Sequence, residues 1–302
     1  MRPASLPLDP TMNLADLRPV YATVDSVRTL EGEGFRVRRP FPYQVDHIGP
    51  FLLLDEMGPS DNAPGEAKGA PDHPHRGFET VTYVLDGEVE HKDSMGNHGL
   101  ITPGDVQWMT AGAGIVHSEM PSDLILTSGG RVHGFQLWVN LPKRDKMRPP
   151  RYQDLRAQDM PVVTMGGGSM VVIGGHAMGT TGPADTHLPV TYLHVKVYPD
   201  SEVELEVEPD DLAFMYAFRG AGETGVERAQ LPEGSIAVFA PGGGRVRVAA
   251  GPNGLEGLFG AAAPLHEPVV RYGPFVMNTR EEIITAFDDF RAGRLGSIPA
   301  EK

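Results

Sequence analysis

Short strand-like runs, each closed by a glycine or proline turn, recur along this chain and leave little room for long helices. Thr80 to Leu85 (TVTYVL) stops at Asp86-Gly87, a dipeptide suited to tight hairpin turns. The turn Thr102-Pro103-Gly104-Asp105 feeds a strand from Val106 to Met109, and Val132 to Leu141 (VHGFQLWVNL) reads as another. Glycine (37) and proline (28) make up about a fifth of the 302 residues, which suits many turns between short strands. Pro142 to Pro150, charged and proline-rich, reads as a linker.

Beyond that linker the pattern resumes. Val190 to Tyr198 is one strand. Glu202 to Val207 alternates acidic and apolar residues, as a strand with one wet face does. Leu212 to Phe218 ends at Arg219-Gly220, and Pro232-Glu233-Gly234 precedes Ile236 to Phe239. The order of strand, glycine turn, loop, Pro-Gly or Pro-x-Gly turn and strand therefore occurs twice. Val84-Leu85-Asp86-Gly87 corresponds to Ala217-Phe218-Arg219-Gly220, and Pro103-Gly104-Asp105 to Pro232-Glu233-Gly234. This predicts a duplicated antiparallel barrel, each copy about 100–120 residues long, with domains at residues 1–150 and 151–302. At the end of the chain, Thr279-Arg280-Glu281-Glu282 matches a helix capping box. Ile283, Ile284, Phe287 and Phe290 follow at helical spacing, with Gly293 and Gly296 as the stop. That apolar stripe is expected to pack on a barrel.

Charge and composition exclude several functions. The formal net charge is −14, and the longest basic patch is Lys143-Arg144-Asp145-Lys146. Phosphate backbones and anionic membranes attract the opposite balance, so neither nucleic acid nor a membrane is expected as a partner. The chain has no cysteine, which removes disulfides, thiolate metal sites and thiol nucleophiles. The first residues (MRPASLPLDPTMNL) lack an apolar signal core, and no stretch approaches 18 apolar residues. A cytoplasmic protein is the expectation.

The segment from Pro71 to Pro121 holds the chemistry. It contains His73-Pro74-His75, then Glu79, and later His117-Ser118-Glu119. On a strand, residues i and i+2 point to the same side. His73 and His75 therefore share a face, as do His117 and Glu119, and two such pairs on neighbouring strands converge. Three imidazoles and one carboxylate suit iron, manganese, nickel, copper or zinc. With a divalent ion such a site stays net positive and attracts an anionic, chelating substrate. Glu79 competes as the fourth ligand, but it lies roughly 13 Å from His75 along an extended strand at ~3.3 Å per residue. Glu119, one alternation from His117, is preferred. His47, His91, His98, His133, His176, His187, His194 and His266 lack paired spacing and are read as non-ligands. His91 and His98 flank a turn that would sit near a pocket mouth.

The His-x-His-x-x-x-Glu string, the Pro-Gly turn and the later His resemble a cupin. The longer blocks HPHRGFETVTYVLDGEVEHKDSMGN (73–97), PGDVQWMTAGAGIVHSEMP (103–121), HGFQLWVNLP (133–142) and EPVVRYGPFVMNT (267–279) resemble the pirin family. The resemblance implies an all-β fold of two cupin-type antiparallel barrels, a jelly-roll-like bicupin, with a short C-terminal helix. It implies one mononuclear Fe(2+) site in the N-terminal barrel, on His73, His75, His117 and Glu119. After residue 150 no His-x-His or His-x-Glu pair occurs, so the second barrel is expected to be metal-free.

Two functions are consistent with that resemblance. One is a dioxygenase of the quercetin 2,3-dioxygenase type, taking a flavonol-like molecule and O₂. Glu119 would be its catalytic residue and would accept the substrate hydroxyl proton. The other is an iron-dependent, redox-sensing regulatory protein that binds a transcription factor or a metabolic enzyme. An acidic surface suits a protein partner better than DNA.

Overall fold

A computed structural model describes residues 16–299. The N-terminal segment read above as lacking a signal core lies outside the described residues. Among those residues, no helix is long and apolar enough to cross a membrane.

Two sheets build the first barrel. One has seven strands, in the order 151–155, 106–110, 78–86, 130–140, 51–62, 35–41 and 27–31. The other has four, in the order 70–75, 115–121, 89–93 and 98–101. The second half forms one nine-stranded sheet, curled by two long strands, Leu212–Thr224 and Arg245–Ala262. These two pair with each other along most of their lengths, with register breaks between Ala217 and Arg219 and between Gly220 and Gly222. The expected turn at Arg219-Gly220 is therefore an irregularity inside a continuing strand. Such bulges raise local twist and let a strand bend round a barrel.

Alternation along each strand decides which face is wet. On Phe78–Asp86, Val81 and Tyr83 enter the large apolar cluster that also contains Tyr192, Phe214, Tyr216 and Phe218 of the second half. On Gly130–Asn140, Phe135, Leu137 and Val139 do the same. The two sheets thus pack face to face through one shared core. Thr80, Thr82, Gln136 and Trp138, at the intervening positions, face into the first barrel. The interior of the second barrel is filled by its own cluster, with Val195, Leu205, Met215 and Phe259 among its members.

The expected halves, 1–150 and 151–302, lend strands to each other. Val20–Asp25 pairs with Ser235–Phe239 of the second half. Arg151–Leu155 pairs with Val106–Thr110 of the first. Beyond the second barrel, the short strands Val270–Tyr272 and Phe275–Met277 and the helix Arg280–Arg291 return to the first barrel. The capping box forms as read: Thr279 caps the Glu282 amide, and Glu282 reaches back to the Thr279 amide. Of the helical stripe, Ile283 is buried and Phe287 packs beside it. Ile284 and Phe290 are exposed, because four apolar residues span more of the helix circumference than a single sheet surface covers. The stretch 142–150 is no free linker: Asp145 and Lys146 are buried within it.

Candidate metal centre

Strands Ala70–His75 and Ile115–Pro121 lie side by side and antiparallel, with His117 directly opposite His73. The donor atoms of His73, His75 and His117 all lie within 4.8 Å of one another. Their ring centroids are 4.3 Å (His73–His117), 4.7 Å (His73–His75) and 4.9 Å (His75–His117) apart. His75 and His117 are buried.

Three imidazoles held this close in an apolar interior cannot all be protonated. Burial, and then the neighbouring His73 imidazole, hold His75 and His117 well below the ordinary histidine pKa. Both are therefore neutral near pH 7, as a metal ligand must be. The Nδ1 of His73 donates to the Pro71 carbonyl at 2.7 Å, and that of His75 to the Pro274 carbonyl at 3.2 Å. A carbonyl only accepts, so in both rings the proton sits on Nδ1 and Nε2 keeps its lone pair. His75 Nε2 and both ring nitrogens of His117 are buried with no hydrogen-bond partner. Buried polar atoms left unpaired are costly, and a coordinated cation satisfies nitrogen lone pairs. The donor set fits a divalent transition metal.

The Glu119 carboxylate is not among the donor atoms of this three-histidine group. Between His117 and Glu119 the pairing with strand 70–75 slips, so that Glu119 faces Ala70. Its carboxylate accepts hydrogen bonds from Thr82 Oγ1 at 2.5 Å and Gln136 Nε2 at 2.6 Å. Thr82, Glu119, Gln136 and His133 line a cavity of about 960 Å³ that also touches Arg36, Met57 and Lys68. The three histidines are not among the lining residues, whereas Glu119, two residues from His117, is. Glu79, the competing ligand, is committed elsewhere: it accepts from Trp108 Nε1, Thr110 Oγ1 and His187 Nδ1.

Several histidines without paired spacing do other work. His133 and Tyr216 both bond to Glu56, which also pairs with Arg38, and Tyr83 bonds His194. His187, Tyr216 and His194 thereby join the two barrels. His98 is exposed beside Glu90. His91 is fully buried, 5.3 Å from the His117 ring, and so lies deeper than a pocket mouth. Sequence reasoning missed Thr82 and Gln136. A signal for them existed, since each is a polar residue between apolar neighbours on a strand whose other face is core.

Fold and site together define a bicupin whose first barrel carries, among the described residues, a three-histidine group that could hold a metal ion. The pirin family model matches residues 34–139, and the model of the pirin C-terminal cupin domain matches residues 192–296. The chain belongs to the pirin family. It is 39% identical over 283 residues to pirin of Homo sapiens, covering 92% of this chain and 94% of that one. It is 44% identical over 268 residues to a Pseudomonas aeruginosa protein provisionally named a quercetin 2,3-dioxygenase, covering 87% and 93%. A crystal structure of quercetin 2,3-dioxygenase from Acinetobacter baumannii superposes with a TM-score of 0.88 at 36% identity, covering 94% of this chain and all of that one.

Proposed function

We propose that the first barrel binds one Fe(2+) ion through His73, His75 and His117, with Glu119 as the fourth ligand when it turns inward, and that the protein is a flavonol dioxygenase. The observation that supports this best is the convergence of three imidazoles, two of them with unpaired buried nitrogens, close in sequence to a cavity-lining carboxylate. The names of the similar Pseudomonas and Acinetobacter proteins supply the substrate class. The bound ion would supply a redox-active Lewis acid with open positions, able to orient a chelating substrate and tune its reaction with dioxygen.

The chain's own residues divide the remaining work. The cavity, at about 960 Å³, lies near the upper end of the ~300–1,000 Å³ common for small-molecule sites, so it admits a three-ring ligand. Glu119 accepts the substrate hydroxyl proton. Its two oxygens are not equivalent in this task. Oε2 faces the Gln136 amide, which only donates, whereas Oε1 faces the Thr82 hydroxyl, which can turn from donor to acceptor. Oε1 can therefore take up a proton without setting two donors against each other.

Anaerobic loading with Fe(2+), elemental analysis, and O₂ uptake with and without quercetin test the reading. One iron per chain and quercetin-dependent uptake are expected. Full iron occupancy with no uptake on any flavonol would refute catalysis and favour the iron-dependent binding protein.

A further inference from the structure

His73 takes its orientation from Pro71, two residues away on its own strand. His75 takes its orientation from Pro274, 199 positions along the chain. We infer that the C-terminal arm, residues 267–291, is a positioning element of the metal centre, with Lys146 clamping it so that the Pro274 carbonyl fixes the ring of His75. This rests on the metal reading given above.

The arm is bound to the histidine strands at closely spaced points. Phe275 forms a parallel bridge with Arg76, and the Val276 amide donates to the Arg76 carbonyl at 3.1 Å. The Lys146 ammonium is buried and donates to the carbonyls of Gly77 at 2.7 Å and Val276 at 3.0 Å, and to Asn140 Oδ1 at 2.5 Å. All three of its protons are used, and two hold the residue after Arg76 against the residue after Phe275. Gly77 permits that approach: its φ is +89°, and a Cβ there would lie 2.0 Å from the Val276 oxygen. The Arg76 guanidinium pairs with Asp289 of the helix at 2.8 Å.

Further contacts reach the other side of the site. Phe275, Ile283 and Leu295 pack with Val116, the neighbour of His117. The Arg271 guanidinium lies 4.6 Å above the Trp138 ring, which in turn lies 5.1 Å from His75. Docking the helix needs only the apolar cluster. A buried ammonium that ties Gly77 to Val276 does something more, since it sets the distance between His75 and the carbonyl that orients it. Burial draws the Lys146 pKa down, to about 7, so keeping an ammonium there is costly and calls for a role. Partners that orient a metal-bound imidazole typically alter metal affinity by about 10–100-fold when lost.

Co(2+) is the probe, followed through its visible absorption while EDTA strips the loaded full-length protein. Lys146→Met and Ile283→Ala should each release Co(2+) about tenfold faster or more, with faster hydrogen exchange at the Val276 amide. Leu205→Ala, in the core of the second barrel, serves as a control for general destabilisation and should release it at the parent rate. Release within twofold of the parent in both arm variants, despite faster Val276 exchange, overturns the inference. Equal acceleration in the Leu205→Ala control overturns it as well. If the parent takes up no Co(2+), the metal reading falls and the arm's role with it. If the parent holds the ion and the arm variants hold it equally well, only the arm's role is lost.

Discussion

Acid should unfold the metal-free protein earlier than its carboxylates alone would allow. His75 and His117 are held well below the usual histidine pKa, chiefly by burial, and burial draws His194 down to about 4. In the unfolded chain each would titrate near ~6.5. Below that pH the unfolded state binds protons that the folded state refuses, so stability present at neutral pH is lost as pH falls. Each such imidazole contributes a slope of about 1.4 kcal/mol per pH unit until its folded pKa is reached. For His194 this amounts to roughly 3 kcal/mol between pH 6.5 and 4. The carboxylates with lowered pKa, Asp16, Glu90, Asp93, Asp105 and Asp289, lose their contributions only at lower pH, and the raised Asp55, Asp154 and Asp211 act with the opposite sign. Comparison with a variant removes these backgrounds. Urea unfolding of the apo-protein at pH 7, 6.5, 6, 5.5 and 5 should show His117→Gln losing less stability than the parent, by about 1.4 kcal/mol per pH unit at the acid end. Parallel stability curves for the two proteins would refute the claim that His117 is buried as a neutral ring. Binding a divalent ion should flatten the parent curve, because a coordinated nitrogen is closed to protons.

His73→Ala or His117→Ala should lose the metal while keeping the barrel folded, since neither histidine belongs to the apolar clusters that fill and join the barrels; full occupancy by elemental analysis in both would refute the ligand assignment. The parent should hold one ion per chain, and a second ion bound by residues 160–265 would contradict the reading of the second barrel as metal-free. Glu119→Gln should retain iron on the three imidazoles yet lose flavonol turnover; unchanged O₂ uptake at matched iron content would leave Glu119 no part in proton transfer. Glu56→Ala should cost about 1–3 kcal/mol by urea unfolding, because it removes the buried acceptor of His133 and Tyr216 between the barrels, while Arg38 keeps Glu233 and the Phe218 carbonyl.

The amino-acid sequence by itself determined the elements and the three histidines. Period-two alternation and glycine turns mark strands because both act through local backbone geometry. His73 and His75 on one strand and His117 on another can be read in the same way, since spacing along a strand decides which face a side chain takes. The capping box at Thr279 is equally local. Only the tertiary structure decided how these pieces meet. Glu119 meets Thr82 and Gln136, partners carried by strands 37 and 17 positions away, which spacing along its own strand does not reveal. Val20–Asp25 and Arg151–Leu155 each joined the opposite half, because an open sheet edge gains hydrogen bonds from whichever strand reaches it. The stretch around Lys146 looked like a solvated linker because lysine is seldom fully buried, and its three acceptors come from residues 77, 140 and 276. The same holds for the carbonyl of Pro274 on His75. A backbone oxygen has no sequence signature, and only the returning C-terminal arm brings it to the ring.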